Sequence, residues 1–138
     1  MKKLHYGIVF LLLALVLVAC GNEAVANTAD ININNLADTV NVQTVSAVKE
    51  SADVLVLDVR EQWEYDEGHI PGVTLIPVSE VSNRLSEIPT DKEVIVTCRS
   101  GNRSSQVAEY LRQQGYDNIH NMDGGILAWE AAGLPVEK

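Results

Sequence analysis

The sequence is poor in the side chains that bind metals. It holds two cysteines and three histidines in 138 residues, and the histidines are spread over the chain without the spacing of metal ligands. Neither a metal nor another cofactor is therefore expected. Aromatic side chains are also few, and we expect both tryptophans, Trp63 and Trp129, to be packing residues.

Positive charge is scarce as well. The chain carries 10 lysines and arginines against 19 aspartates and glutamates, and without residues 1–19 the balance is 8 against 19, a formal charge of −11. Nucleic acids carry negative phosphates and attract proteins of the opposite sign. We therefore expect no nucleic acid among the partners of this protein.

No apolar run is long enough for a permanent transmembrane helix. The longest run, residues 8–19, has 12 residues, whereas roughly 20 are needed to cross the hydrocarbon core of a membrane. Lys2 and Lys3 precede this run, and Cys20 closes it. This order of positive charge, short apolar run and cysteine predicts a signal peptide over residues 1–19, which is removed from the mature protein.

The end of this segment resembles a bacterial lipobox. Residues 17–20 read Leu-Val-Ala-Cys. The resemblance implies that Cys20 is diacylated on sulfur, becomes the new N-terminus, and holds the protein on the extracytoplasmic side of a membrane in a bacterial cell envelope. Cys98 would then be the only free thiol, so no intramolecular disulfide could form. The alternative is an ordinary signal peptide cut after Ala19 or near Ala26.

Residues 20–41 are predicted to be the lipidated cysteine and a flexible tether. This stretch is rich in Asn, Ala, Asp and Thr and has no convincing hydrophobic period. The alternative is that Ile31, Ile33 and Leu36 form a short ordered strand or helix. The remaining residues, 42–138, are long enough for one domain.

From residue 42 onward, strand-like and helix-like segments alternate. Residues 54–58 and 94–97 are short, continuous apolar runs, typical of strands buried on both faces of a parallel sheet. Another strand is expected near residues 118–122. Helical segments are expected at residues 46–50, 62–67, 82–87, 104–114 and 126–132, the fourth capped by Ser104 or Ser105. This alternation predicts an α/β fold with a parallel sheet flanked by helices.

Cys98 follows the second of these strands, and the residues after it lead directly into a predicted helix. Ligands of open parallel sheets bind at this end of the strands. Backbone N–H groups, the helix dipole and the side chains of Arg99 and Arg103 favour an anion there, so we expect a thiolate at neutral pH. Gly101 allows the positive φ of a tight loop. Alternatively, Cys98 is a buried small apolar residue, and Arg103 serves only to pin the loop.

Three ordered motifs resemble those of rhodanese-like domains. Residues 98–104, Cys-Arg-Ser-Gly-Asn-Arg-Ser, are similar to the active-site loop of this family. Residues 58–77, with Asp-Val-Arg-Glu and Gly-His-Ile-Pro-Gly, are similar to its N-terminal signature, and residues 123–135, beginning Asp-Gly-Gly-Ile, to its C-terminal one. The resemblance covers the predicted domain and implies an α/β fold with a parallel five-stranded sheet flanked by helices on both faces.

The resemblance also implies a role for each residue at the site. Cys98 would be the catalytic nucleophile, which takes a sulfane sulfur from thiosulfate, polysulfide or a related donor and holds it as a persulfide. The acceptor would be a thiol or cyanide, with a thioredoxin-like protein as one candidate. The substrate-binding residues would be those of the loop: Arg99, Ser100, Gly101, Asn102 and Arg103. Asp58 and Arg60 would organise the loop beside the site.

Two other functions share this loop chemistry. A cysteine phosphatase also cradles an anion above a thiolate, but its loop places five residues between cysteine and arginine, whereas four separate Cys98 from Arg103. The tighter loop suits a single sulfur better than a tetrahedral phosphate. The second alternative is a non-turnover sulfur carrier or redox-sensing binding module, which would load once and present a docking patch beside the loop.

Overall fold

The computed structural model of the protein describes residues 31–138. The predicted signal peptide, the predicted acylation site Cys20 and the first part of the predicted tether lie outside the described residues. Among residues 31–138, no helix is both long enough and apolar enough to cross a membrane.

A five-stranded sheet forms the centre of the fold, and its paired strands are all parallel. The strands are β1 Thr39–Val40, β2 Val54–Asp58, β3 Thr74–Leu75, β4 Glu93–Thr97 and β5 Ile119–Met122. Their order across the sheet is β1-β5-β4-β2-β3. Val94, Ile95 and Val96 of β4 are fully buried, because both faces of the sheet are covered. The predicted parallel five-stranded sheet is confirmed.

The described residues form four α-helices. They are α1 Val42–Val48, α2 Gln62–Glu67, α3 Asn102–Gln113 and α4 Gly125–Ala131. The helix predicted at residues 62–67 is confirmed, whereas residues 82–87 form 3-10 turns at Val81–Asn83 and Leu85–Glu87. The helix expected at residues 46–50 begins earlier, because the Asn41 side chain caps it by accepting a hydrogen bond from the Thr44 N–H.

The sheet separates two hydrophobic cores. On one face, Ile95 of β4 belongs to a cluster with Val45 of α1 and Trp129 of α4. On the other face, Val94 belongs to a cluster with Leu111 of α3. Trp129 is fully buried, which confirms its predicted packing role. Both cores therefore pack against β4, the strand that leads to Cys98. Truncating one large buried side chain in such a core lowers the free energy of unfolding by roughly 2–5 kcal/mol.

β1 lies within residues 20–41, for which the sequence predicts a tether. It pairs in parallel with β5, and the Asp123 N–H donates to the Val40 carbonyl. Ile31, Ile33 and Leu36 pack against the core that contains α1 and α4. Ordered structure therefore starts before residue 42, in agreement with the alternative of a short ordered segment. The physical reason is that β5 would otherwise leave backbone groups unpaired at an open edge.

Candidate active site

Cys98 lies directly after β4, at the carboxyl end of the sheet. In the neighbouring strand, Asp58 is the register partner of Thr97, so the residues that follow β2 reach the same edge. The loop after Cys98 then turns into α3, and Gly101 is the cap residue of this helix. The structure thus places Asp58, Arg60 and the cysteine loop side by side.

The thiol of Cys98 is buried, with 1 % of the residue exposed. Two donors face its Sγ atom, the Gly101 N–H at 3.2 Å and the Ser104 hydroxyl at 3.4 Å. Burial on its own raises the pKa of the thiol. The opposite effect comes from hydrogen bonds, which leave the pKa of the thiol below its ordinary value of 9.0. They are donated by the Ser104 hydroxyl and by the N–H groups of Ser104, Ser100 and Gly101. The site therefore favours a thiolate.

Ser104 is the residue at this site that sequence reasoning missed. The sequence predicts Ser104 or Ser105 as the cap of this helix, but α3 begins two residues earlier than predicted, with Gly101 as its cap residue at a φ of +94°. The positive φ predicted for Gly101 is confirmed. Ser104 therefore lies fully buried in the first turn, where its hydroxyl faces Cys98 Sγ and the Gly101 carbonyl, the latter at 3.1 Å. The available signal was a hydroxyl residue directly after the cysteine loop.

The start of α4 holds the cysteine loop through its carbonyl groups. The Ile126 N–H donates to the Cys98 carbonyl at 2.9 Å. The Leu127 N–H donates to the Arg99 carbonyl at 3.1 Å. A side chain at Gly125 would not fit, because its Cβ would lie 2.4 Å from the Cys98 carbonyl oxygen. With these carbonyls directed toward α4, the loop N–H groups are free to face the sulfur.

Arg103 is paired with a carboxylate from α2. Its Nη1 and Nη2 atoms donate to the two carboxylate oxygens of Glu64 at 2.7 and 2.6 Å. The hydrogen bonds from Arg103 lower the pKa of Glu64 to about 2, although burial opposes them. The charge of Arg103 is therefore balanced by Glu64, and the pair connects α2 to the start of α3. This geometry corresponds to the alternative in which Arg103 pins the loop.

Arg60 is likewise engaged within the protein. Its Nε and Nη2 atoms donate to Asp58 Oδ2 at 2.9 and 2.7 Å, and both residues are buried. Its remaining donors reach the carbonyls of Glu64 at 3.2 Å and Gly68 at 3.0 Å. Arg60 thus connects the end of β2 with the first turn of α2 and with Gly68, the residue after this helix.

The other predicted binding residues lie on the outer side of the loop. Arg99, Ser100 and Asn102 are exposed. Arg99 forms no ion pair with any of the described residues. Its positive charge, unlike that of Arg103, is available to an incoming anion.

A cleft of about 310 Å³ opens beside Arg99, between residues of α2 and α4. Trp63 lines this cleft and is 63 % exposed. The prediction that Trp63 is a packing residue is wrong, because it lies in the first turn of α2 with its ring at the surface rather than in either core.

The histidines of the described region make contacts within the fold. His120 lies between the Ala37 carbonyl, at 2.7 Å from Nδ1, and the Glu93 carboxylate, at 2.8 Å from Nε2. His69 stacks on Tyr65, with 3.7 Å between the ring centroids. Within residues 31–138, no group of three or more His, Cys, Asp or Glu side chains is arranged to hold a metal ion.

Known proteins resemble this chain in sequence and in structure. The family model of the rhodanese-like domain matches residues 41–132. A sulfurtransferase of Allochromatium vinosum is 45 % identical over 87 residues, which cover 63 % of this chain and 81 % of the relative. A thiosulfate sulfurtransferase of Pseudoalteromonas translucida is 36 % identical over 83 residues, which cover 60 % of this chain and 79 % of the relative.

A solved structure agrees with these relatives. The crystal structure of a rhodanese-related protein from Thermoplasma volcanium is 35 % identical and aligns with a TM-score of 0.66, covering 73 % of this chain and 98 % of that one. The family match spans most of the chain and includes the cysteine loop. The chain therefore belongs to the rhodanese-like domain family.

Proposed function

We propose that the protein is a sulfurtransferase that carries sulfane sulfur as a persulfide on Cys98. The observation that supports this most directly is the set of donors around Sγ, with Gly101 at 3.2 Å and Ser104 at 3.4 Å. Donors placed in this way stabilise negative charge on sulfur, and a persulfide carries that charge on a sulfur only one bond farther out. The sulfurtransferases among the relatives support the same chemistry.

In the loading step, the Cys98 thiolate attacks the outer sulfur of a donor such as thiosulfate. A new S–S bond forms at Cys98, the S–S bond of thiosulfate breaks, and its electron pair leaves with sulfite. Arg99 is exposed at the loop and can orient the anionic donor by charge-assisted hydrogen bonds. A polysulfide would load the thiol by the same displacement, with a shortened polysulfide as the leaving group.

In the discharge step, a thiol or cyanide attacks the terminal sulfur of the persulfide. The S–S bond to Cys98 breaks, and its electron pair restores the thiolate, which the hydrogen bonds from Gly101 and Ser104 stabilise again. A thioredoxin-like protein with a reactive thiol would suit this step.

The pairing of Arg103 favours sulfur transfer over phosphate chemistry. A phosphatase loop needs its arginine to chelate the phosphate oxygens, but both Nη atoms of Arg103 are occupied by Glu64. Releasing them would leave a buried carboxylate without its partner, which is costly. Together with the four-residue spacing between Cys98 and Arg103, this arrangement suits a small sulfur species.

Mass spectrometry of the full-length protein after incubation with thiosulfate tests the proposal. We expect a gain of one sulfur, about 32 Da, that peptide mapping places on Cys98 and that cyanide removes. A Cys98→Ser variant is the matched control and should gain nothing. An unmodified wild-type protein after treatment with both thiosulfate and polysulfide would contradict the proposal.

Counting turnovers distinguishes an enzyme from a sulfur carrier. An enzyme produces many equivalents of thiocyanate from excess thiosulfate and cyanide, because each discharge regenerates the thiolate. A carrier that depends on one partner releases a single equivalent per protein. We expect multiple turnovers, and a single equivalent would favour the alternative of a non-turnover carrier or redox-sensing module.

We also propose that Cys20 anchors the protein on the extracytoplasmic side of a bacterial membrane. The order of Lys2, Lys3, the apolar run and the lipobox-like residues 17–20 supports this. Growth of the producing bacterium with labelled palmitate tests it. We expect label in the wild type and in Cys98→Ser but not in Cys20→Ser, whereas equal labelling of all three would contradict a lipid on Cys20.

A further inference from the structure

Two large apolar side chains are exposed close to the cysteine loop. Trp63 of α2 is 63 % exposed, Leu127 of α4 is 43 % exposed, and both line the cleft beside Arg99. Leu127 is connected directly to the reactive loop, because its N–H donates to the Arg99 carbonyl at 3.1 Å. Exposed large apolar side chains grouped beside a functional loop are typical of protein contact sites, where tryptophan is enriched.

The charged groups of the same cleft divide into paired and available ones. Arg60 is neutralised by Asp58, and Glu64 by Arg103. Glu67 and Glu130 also line the cleft and form no ion pair with any described residue. The apolar pair therefore lies among two available carboxylates and one available cation, Arg99, on a chain whose net charge is −9.

We propose that Trp63, Leu127, Glu67 and Glu130, here named the rim patch, dock a protein sulfur acceptor. The acceptor's reactive cysteine would lie among apolar side chains and be flanked by lysine or arginine, because the rim patch offers apolar area bordered by negative charge. This inference rests on the proposed function and names the kind of acceptor that the site takes.

The size of the exposed apolar surface favours a protein over a small thiol. A cleft of about 310 Å³ lies at the lower end of the range for small-molecule sites. Trp63 lines this cleft but is 63 % exposed, so a small thiol bound in the cleft would leave much of the side chain in water. A protein loop that carries the cysteine would cover the ring and gain the burial that makes tryptophan a frequent hot spot.

The docked thiolate completes a balanced sulfur transfer. The acceptor's sulfur attacks the terminal sulfur of the Cys98 persulfide, and a new S–S bond forms on the acceptor. The bond between Cys98 Sγ and the terminal sulfur breaks, and its electron pair returns to Cys98 as thiolate. The acceptor leaves as a persulfide, and no oxidant or reductant is consumed.

Binding is tested without any sulfur chemistry by tryptophan fluorescence of the full-length protein. The probes are the blocked peptides Lys-Leu-Ser-Leu-Lys and Glu-Leu-Ser-Leu-Glu, with serine in place of the reactive cysteine. Trp129 is already buried, so a blue shift on titration reports burial of Trp63. We expect a saturable shift with the lysine peptide that weakens in a Glu67→Gln/Glu130→Gln variant. No shift, or equal shifts with both peptides, would overturn the inference.

The role in transfer is tested by discharging the loaded protein with the cysteine version of the lysine peptide. We expect Trp63→Ala to slow this discharge by about fivefold or more, with the rate of discharge by cyanide unchanged. Val78→Ala is the matched control, because Val78 is 38 % exposed in a different groove, against α3. Equal peptide rates in Trp63→Ala and wild type would overturn the rim patch while leaving sulfur transfer intact.

The same design separates the two failures. If thiosulfate and polysulfide leave no persulfide on Cys98, the proposed function fails, whatever the peptides do. If the persulfide forms and cyanide discharges it, but Trp63→Ala slows cyanide and peptide alike, the substitution has damaged the loop and the docking role fails.

Discussion

At the amino ends of its strands the protein carries a cleft of about 470 Å³, and at the carboxyl ends one of about 310 Å³. The larger cleft is lined by Asp53, Asp91, Glu93 and Asp117, among others, and contains no cysteine. The smaller one adjoins the Cys98 loop, where N–H and hydroxyl groups converge on a buried sulfur.

The difference between the two ends follows from the direction of the chain. Each strand of a parallel sheet leads into its loop and helix at the carboxyl end, so helix N-termini and free N–H groups gather there. α3 and α4 both begin at this end, one providing Ser104 and the other the N–H groups that hold the loop carbonyls. The carboxyl end is therefore distinguished by oriented donors around Cys98 Sγ rather than by the volume of its cleft.

The largest effect on the Cys98 loop is expected from a methyl group added at Gly125. Gly125 has a φ of +58° and its Cβ would lie 2.4 Å from the Cys98 carbonyl oxygen. We expect Gly125→Ala to lower the free energy of unfolding by about 3 kcal/mol or more and to reduce persulfide loading by more than about 100-fold, because the loop must move. Urea unfolding and intact mass after thiosulfate treatment measure the two effects.

The control for this prediction lies at the other end of the sheet. Gly115 follows α3, has a φ of +96°, and has no atom within 4 Å of the Cβ position. Gly115→Ala should cost only about 1 kcal/mol of backbone strain, with loading unchanged. If Gly125→Ala and Gly115→Ala lost equal amounts of stability and of loading, the close contact at the Cys98 loop would not be the cause of the effect.

The next largest effect is expected from the Glu64–Arg103 pair. Glu64→Gln removes a charge-assisted double hydrogen bond and should lower the free energy of unfolding by about 2 kcal/mol. The pKa of Glu64 falls from 4.5 to about 2 on folding, so its contribution is fully present above pH 4.5 and is lost as the pH falls toward 2. The gap between wild type and variant in urea unfolding should therefore be wide at pH 7 and narrow at pH 3.

The pair at the opposite end provides the comparison for Glu64. The Glu93 carboxylate lies 2.8 Å from His120 Nε2. A glutamine at position 93 can still form a hydrogen bond with the imidazole. We expect Glu93→Gln to cost less than about 1 kcal/mol. A larger loss of stability in Glu93→Gln than in Glu64→Gln would contradict this ranking of the two pairs.

A smaller effect is expected at Ser104, and it concerns the thiol directly. Ser104→Ala removes the hydroxyl that faces Sγ at 3.4 Å, so the pKa of Cys98 should rise toward its ordinary value. Alkylation of Cys98 by iodoacetamide should slow by about three- to tenfold at pH 6. It should match wild type at pH 10, where Cys98 is ionised in both proteins. Ser105→Ala is the control, since the Ser105 hydroxyl donates to the Asn102 carbonyl. Equal alkylation of wild type and Ser104→Ala at pH 6 would exclude a role for this hydroxyl.

The smallest effect is expected from the exposed charge of Arg99. Arg99→Ala should slow loading by thiosulfate by about three- to fivefold at low salt, and the difference should shrink at high salt because surface charges are screened. Reaction with neutral iodoacetamide should change little. Lys92→Ala, in the cleft at the amino end, is the matched control and should leave loading unchanged. Stopped-flow loading rates at two ionic strengths measure this, and an effect independent of salt would contradict it.

The elements that local sequence patterns specify were predicted well. Continuous apolar runs identify β2 and β4, because strands buried on both faces need no polar alternation. β1 and β3 have two residues each and were missed, since their strand character comes from pairing with β5 and β2 rather than from any period of their own.

The site was predictable where its residues are consecutive and less so where they are distant. Cys98 and the positive φ of Gly101 follow from the loop sequence itself. The Glu64–Arg103 pair spans 39 positions, and no local pattern indicates which carboxylate an arginine will meet. The sequence predicts the start of α3 two residues too late, so it indicates a helix-capping role for Ser104 and gives no sign of its contact with Cys98 Sγ.

The dependence of the cysteine loop on α4 sets an order of events during synthesis. α4 is the last helix of the described chain, and its residues 126 and 127 hold the carbonyls of Cys98 and Arg99. A nascent chain that ends before residue 126 would already contain the cysteine, both neighbouring arginines and β4, yet would lack the groups that fix the loop. The hydrogen bonds that hold the cysteine loop can therefore form only after all five strands have been synthesised and α4 has docked beside them.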